Sequence, residues 1–350
     1  MKNIILPCAG LSSRYPNMRP KYLLTCPDGK LVIQKALESI KNYNEYNIYI
    51  AILKEHEEKF NVLNILKKAL KINYEVNILD NLSKGPADTV KQTILNKKIE
   101  GSIVIKDSDS FFESIHLKEE NNIGLLDLRE NPQIESVGSK SFSVIDKNNI
   151  INNIVEKNVI SNYISAGIYS FETSANYINE YNKIESVMNK EIFISHVISH
   201  MIKKGEVFFP IKIKELIDVG TLNDWKKYIN SHKVLFVDID GVVVENQSKY
   251  IEPIWGEEIK PLIKNVEILI NIQKKGGQII FTTSRPESLR EITTVLLIKL
   301  GFKVDVLIMN LLHGKRYLIN DYSSSSNLFP TAISINIKRN SNELNDFIGE

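Results

Sequence analysis

Ile4-Ile5-Leu6-Pro7-Cys8-Ala9-Gly10-Leu11-Ser12-Ser13-Arg14 runs from a short apolar stretch into a loop of small residues, and Arg19-Pro20-Lys21 follows closely. An apolar strand emptying into glycine and serine lets backbone N–H groups approach phosphate oxygens with no Cβ in the way. Arg14 adds a forked donor suited to a triphosphate, and Lys21 a compact charge for the phosphate being transferred. A second strand of this kind, Val234-Leu235-Phe236-Val237, empties into Asp238-Ile239-Asp240-Gly241. Alternate strand residues share a face, so Asp238 and Asp240 lie on one side of the chain, one placed to attack phosphorus and one to move a proton.

Around these two stretches, short Ile/Val-rich runs alternate with helix-period segments, which predicts an α/β fold with mostly parallel sheets. Strands are expected at 3–6, 48–53, 75–79, 102–106 and 164–171, with helices at 31–39 and 59–70. A second series follows: strand 234–237, helix 261–274, strand 278–282, helix 287–300, and strands near 304–309, 317–319 and 331–335. The break falls after the helix around Trp225–Ile229, giving two domains, 1–231 and 232–350.

The bulk composition is that of an ordinary globular chain: 350 residues, 43% hydrophobic, 25% charged, formal net charge +2. That charge is too small to suggest a nucleic-acid or membrane surface, and no concentrated basic stripe appears. Two cysteines, Cys8 and Cys26, make no disulfide framework and suit a reducing compartment. With no signal-peptide pattern and no run of roughly 20 apolar residues, a cytoplasmic, soluble protein is expected. His196 and His200 stand four apart but lack an intervening glutamate base, so they read as an ordinary helix face.

The first half carries further blocks in order: Lys84-Gly85-Pro86-Ala87-Asp88, Val104-Ile105-Lys106-Asp107-Ser108-Asp109, Val155-Glu156-Lys157, Ser165-Ala166-Gly167 and Asp218-Val219-Gly220-Thr221. With the opening signature, this set resembles the sugar nucleotidyltransferases of the GT-A-like, Rossmann-like fold across about residues 1 to 230. The resemblance implies nucleotide binding by Ala9, Gly10, Leu11, Ser12, Ser13, Arg14, Gly85, Pro86 and Ala87, and acceptor binding by Glu156, Lys157 and Gly167. It implies Mg²⁺ held by Asp109 and Asp218, with Arg14 and Lys21 acting on the triphosphate. Asp107 is a spare carboxylate on the same strand end as Asp109. The implied reaction joins an NTP to a sugar or polyol phosphate and expels pyrophosphate. Pro7, Cys8 and Leu11-Ser12-Ser13 depart from the usual pattern, and no glutamine precedes Lys84, so the base stays open, with CTP or UTP favoured.

In the second half, Asp238-Ile239-Asp240-Gly241, then Phe281-Thr282-Thr283-Ser284-Arg285, Lys315 and Asn320-Asp321, resemble the motifs of haloacid dehalogenase (HAD) superfamily phosphatases, and most closely small members from surface-polysaccharide gene sets. By that resemblance Asp238 is the nucleophile and Asp240 the acid/base. Thr283 holds the phosphoryl group, with Thr282 as its rival, and Lys315 neutralises charge. Asp238, Asp240 and Asp321 bind Mg²⁺. The stretches 242–278 and 287–314 leave no room for a large cap domain, so the transferase half or a second subunit is expected to cover this site.

Together the two resemblances imply a bifunctional enzyme of nucleotide-activated precursor synthesis for capsule or other surface polysaccharide, able to form a homo-oligomer. Two alternatives stand beside it: an inactive HAD-like half serving as a dimerisation module, or a nucleotide-sensing binding protein.

Overall fold

Asn47–Leu53 is apolar at nearly every position and Ile4, Ile5 and Leu6 are fully buried, as strands covered on both faces must be. They belong to a computed structural model that describes residues 2–16, 18–134, 137–188, 190–246, 259–320 and 332–348. The chain divides into two units, Met1–Lys226 and Lys227–Glu350.

The first unit runs β1 (Lys2–Pro7), α1 (Val32–Glu38), β2 (Asn47–Leu53), α2 (Lys54–Phe60), α3 (Val62–Ala69), β3 (Glu75–Leu79), α4 (Pro86–Lys97) and β4 (Ser102–Lys106). There follow β5 (Ser110–Phe111), β6 (Asn122–Asp127), β7 (Ser141–Ile145), β8 (Ile151–Glu156), β9 (Tyr163–Phe171), α5 (Ser174–Glu185), α6 (Ile194–Lys203), β10 (Phe209–Lys212) and β11 (Ile217–Asp218), and α7 (Leu222–Ser231) then runs across the boundary between the two units. The central sheet has the order β10-β6-β9-β4-β1-β2-β3, and the β7–β8 hairpin attaches through β9.

Successive β1 residues feed opposite cores. Ile4 and Leu6 pack with Ile33 and Leu37 of α1 and Leu66 of α3, whereas Ile5 packs with Val90 of α4, Tyr177 of α5 and Val197 of α6. The sheet is therefore the middle layer of three. β1 pairs in parallel with β2 and β4, so their carboxyl ends meet along one edge, where α/β sheets hold ligands.

Pairing is parallel at β1–β2, β1–β4, β2–β3 and β10–β6, in keeping with the expectation, but β9 runs antiparallel to β4, β6 and β7. The expected helix 59–70 is also two helices, broken at Asn61, whose φ of 52° is left-handed and ends one helix while starting the next.

The second unit contains β12 (Val234–Asp238), α8 (Ile263–Lys274), β13 (Gln278–Thr282), α9 (Arg290–Lys299), β14 (Val306–Ile308) and α10 (Asn345–Ile348). Its parallel sheet has the order β12-β13-β14. Val237, Ile279 and Phe281 form a core with Val266 and Leu269 of α8 and Leu297 of α9, while Val234, Phe236, Val306 and Ile308 point outward. The segment 287–300 opens with a tight 3-10 turn, Glu287–Leu289, before α9 begins. No strand forms over 317–319 or over the described residues 332–335. Tyr317 and Ile319 suit a strand by composition but are exposed, and strand propensity without a paired neighbour produces no strand. No helix among the described residues is long and apolar enough to cross a membrane.

Candidate functional site

At the carboxyl end of β4 the chain turns through Asp107-Ser108-Asp109 into β5, and β5 pairs antiparallel with β11, setting Ser110 opposite Asp218. The Val219 N–H donates to the Asp109 carbonyl at 2.8 Å, which draws the two aspartates together. A Cβ on Gly220 would lie 2.8 Å from Asp218 Oδ1 and 3.6 Å from Asp109 Oδ2, so both carboxylates border one small space.

Each carboxylate carries its own ammonium. Lys21 ion-pairs Asp109 through Oδ2, and Lys140, at the start of β7, ion-pairs Asp218 through Oδ2. The loop 8–21 is tied down at the same place: Tyr15 donates its hydroxyl to the carbonyls of Val219 and Thr221, and Lys21 N–H reaches Ser12 Oγ at 3.4 Å.

Beneath this pair lies Lys106, fully buried, whose Nζ donates to the carbonyls of Asp107 (2.8 Å) and Ser110 (2.7 Å) and to Ser110 Oγ (2.9 Å). Burial pulls this ammonium down to about 8. Asp109 is partly buried, which opposes ionisation, yet Lys21 overrides that and holds it at about 2. Asp107 is pushed up, by burial first and by the charge of Asp109 second. Adjacent carboxylates driven apart in this way are common where charge is handled.

Of the other loop residues, Ala9 is buried, whereas Gly10, Leu11, Ser13 and Arg14 line the exposed turn. Gly85 caps α4, Pro86 opens it, and the Ala87 N–H donates to the Ile192 carbonyl at 3.2 Å. Gly167 packs against Asp107. Glu156 accepts hydrogen bonds from Ser141 and Ser195, and Lys157 lies exposed with its Nζ 4.0 Å from the centroid of the Phe193 ring.

Sequence reasoning singled out neither Lys140 nor Lys106 nor Tyr15. A lysine ending the apolar run Ile103-Val104-Ile105 was a visible signal for Lys106. Lys140 follows Val137-Gly138-Ser139, a stretch with no periodicity or motif to mark it.

Mg²⁺ takes oxygen ligands and keeps water or substrate phosphates in its shell. Two carboxylates bordering one space fit such an ion, though no cluster of three or more His, Cys, Asp or Glu occurs among the described residues.

In the second unit Asp238 ends β12 and Asp240 follows. Arg285 grips Asp240 along one edge of its guanidinium, Nη2 at 2.7 Å from Oδ1 and Nε at 3.1 Å from Oδ2, and Thr283 donates to Oδ2 at 3.0 Å. Thr282 turns its hydroxyl to the Val237 carbonyl instead. Arg316 reaches Asp238 at 2.9 Å, while its neighbour Lys315 is exposed. Burial raises the Asp238 carboxyl, against the pull of Arg316. Asp321 lies outside the described residues. His196 accepts from the Phe193 N–H at the start of its own helix, α6, and His200 of α6 meets Glu180 of α5, so the two histidines have separate structural partners.

Among solved structures, the chain is similar to a nucleoside-diphosphate-sugar pyrophosphorylase from Vibrio cholerae at 19% identity, over 65% of this chain and 99% of that one, with a TM-score of 0.56. It is also similar to a protein named as a glucose-1-phosphate thymidylyltransferase from Bacillus anthracis, solved with sucrose, at 19% identity over 65% and 94%, TM-score 0.52. A UDP-glucose pyrophosphorylase with bound UDP-glucose matches at 16% identity over 66% and 98%, TM-score 0.51. No curated protein sequence matches the chain. The family pattern described as Nucleotidyl transferase matches residues 16–233, which takes in Lys21, Asp109, Lys140 and Asp218 and more than half of the chain. With that pattern laid over the paired carboxylates and lysines, the chain belongs to the nucleotidyl transferase family.

Proposed function

We propose that the first unit transfers a nucleotidyl group from an NTP to a sugar or polyol phosphate. The observation that carries this is the convergence of Asp109, Asp218, Lys21 and the 8–21 loop at one sheet edge. An acceptor phosphate oxygen attacks the α-phosphorus, the α–β bridging bond breaks, and pyrophosphate leaves with the electron pair. Such chemistry needs positioning and charge neutralisation more than covalent help. Lys21 and Arg14 supply charge toward the triphosphate, the loop amides cradle it, and Gly85 to Ala87 border the base. Glu156, Lys157 and Gly167 lie toward the acceptor. Asp109 and Asp218 would hold Mg²⁺, which supplies neutralisation of phosphate charge when bound. The names of the similar structures, two pyrophosphorylases and a thymidylyltransferase, support a sugar phosphate as acceptor.

The second unit, on this proposal, is a HAD-type phosphatase acting on a phosphate of the same pathway. Asp238 attacks phosphorus, Asp240 protonates the leaving oxygen, and water then releases phosphate from the aspartyl-phosphate. The pairing suits synthesis of activated precursors for surface polysaccharide. One observation favours a second reading, an inactive second half: Asp240 is held bidentate by Arg285 and Asp238 meets Arg316, so each carboxylate must give up an arginine partner before it can meet a substrate.

The test is a matrix of four NTPs against sugar and polyol phosphates with Mg²⁺, with pyrophosphate and orthophosphate scored separately. Pyrophosphate from one pair, abolished by Asp109→Asn, establishes the transferase; no pyrophosphate from any pair overturns it. Orthophosphate lost on Asp238→Asn establishes the phosphatase, and orthophosphate release unaffected by that change leaves the inactive-half reading standing.

A further inference from the structure

The two carboxylates bordering Gly220 are matched by two ammoniums, one each, and only Lys21 of these lies in the opening signature. Lys140 enters from elsewhere, the loop before β7. Its backbone is pinned on both sides: its N–H donates to the Val137 carbonyl at 3.0 Å, and its carbonyl accepts the Lys157 N–H at 3.0 Å. The pairing Ser141 opposite Glu156 continues directly from that bond, so the open end of the β7–β8 hairpin carries Lys140 and Lys157 side by side. Lys157 turns outward over the Phe193 ring, and Lys140 turns inward to Asp218. The Lys140 side chain keeps 22% of its surface exposed, so its flexible stem has solvent to move into while the backbone stays fixed.

A divalent cation held by Asp109 and Asp218 would compete with both ammoniums for the same carboxylates. Both lysines would then be freed to meet phosphate oxygens. We propose that Lys140 exchanges Asp218 for the acceptor's phosphate, acting as a second phosphate-binding cation opposite Lys21. This rests on the transferase reading. The acceptor is assigned rather than the triphosphate because Lys140 sits on the hairpin end that carries Glu156 and Lys157, whereas Lys21 of the opening signature pairs with Asp109.

The experiment titrates Mn²⁺ alone into the full-length chain, followed by electron paramagnetic resonance, and then measures steady-state kinetics on the active NTP–acceptor pair. Removing the competing ammonium in Lys140→Met is expected to tighten Mn²⁺ binding three- to ten-fold, with Lys140→Arg near wild type. In turnover, Lys140→Met is expected to raise KM for the acceptor phosphate at least ten-fold while KM for the NTP changes less than two-fold. A lysine that only positions Asp218 predicts the opposite sign, weaker Mn²⁺ binding in Lys140→Met, and that result or unchanged binding overturns the exchange. Equal rises in both KM values overturn the assignment to the acceptor. A wild-type chain that binds Mn²⁺ yet releases no pyrophosphate from any pair overturns the transferase reading and the phosphate half of the proposal with it, while the Mn²⁺ comparison still decides whether Lys140 competes for Asp218.

Discussion

Gly167 has a φ of +74°, and a Cβ there would sit 2.6 Å from Asp107 Oδ2 and 2.8 Å from Ser110 Oγ. Both the backbone and the space exclude a side chain, so Gly167→Ala is expected to destabilise the first unit by about 2–3 kcal/mol, read as a lowered urea midpoint, and to displace Asp107. Lys106 offers a pH signature. Its folded value of about 8 lies below the usual 10.5, so between those values the unfolded chain binds more protons than the folded one. Stability attributable to Lys106 therefore rises with pH across that window. The difference in unfolding free energy between wild type and Lys106→Met should grow in favour of wild type from pH 8 to 10.5; a flat difference counts against a depressed Lys106. At this scale the sequence was legible where a residue type is rare in its context. A glycine between Ala166 and Ile168, or two aspartates closing an apolar strand, stands out from its neighbours. Lys140 does not, because an exposed-looking loop lysine acquires meaning only when a residue 78 positions later in the chain meets it.

Helix α4 begins on Gly85, whose φ of +127° and whose distances from a hypothetical Cβ to the Ile192 carbonyl (2.7 Å) and to Glu191 Cγ (2.8 Å) make the turn unavailable to other residues. Gly85→Ala is expected to cost about 1–3 kcal/mol in denaturant unfolding and, if α4 borders the base, to raise KM for the NTP more than KM for the acceptor. In the second unit the Arg285–Asp240 grip is buried, Arg285 being 5% exposed. Arg285→Met leaves Asp240 without that partner and should destabilise by about 3–5 kcal/mol, measured by thermal or urea unfolding of the full chain. Elements were legible in proportion to their apolar content. β3 and β4 fall on their expected residues, since Ile/Val runs bounded by polar turns admit one reading. β7 and β8 escaped notice because each is short and carries polar residues, Ser141 and Ser143 in one and Asn152-Asn153 in the other, in place of an Ile/Val run; β8 pairs with β7, and only β7 joins β9. The 59–70 run looked continuous because its helix period survives the break, and one left-handed asparagine is a backbone event that periodicity does not register.

At the scale of the whole molecule, the proposed transferase and phosphatase fall in different units, which makes their loss by mutation separable. In the full-length protein Asp109→Asn is expected to lower pyrophosphate release by at least 100-fold and leave orthophosphate release within two-fold of wild type, with Asp238→Asn giving the reverse. The division into two α/β series was visible from the recurrence of a strand ending in a polar, glycine-bearing loop at Leu6 and again at Val237. The antiparallel partners of β9 were not, because strand direction depends on where the chain returns rather than on what it is made of. The bond from the Tyr15 hydroxyl to the Thr221 carbonyl joins residues 206 apart. On a ribosome adding ~5–20 residues per second, the amino-terminal loop emerges roughly 10–40 s before its anchor is synthesised. Through nearly all of that interval the loop and Asp109 wait for Asp218, which lies just before Thr221, and a contact of such long sequence separation forms late and slowly even after release. Transferase competence should therefore be the last property the first unit acquires, appearing only after translation has passed Thr221, with the second unit still to be made.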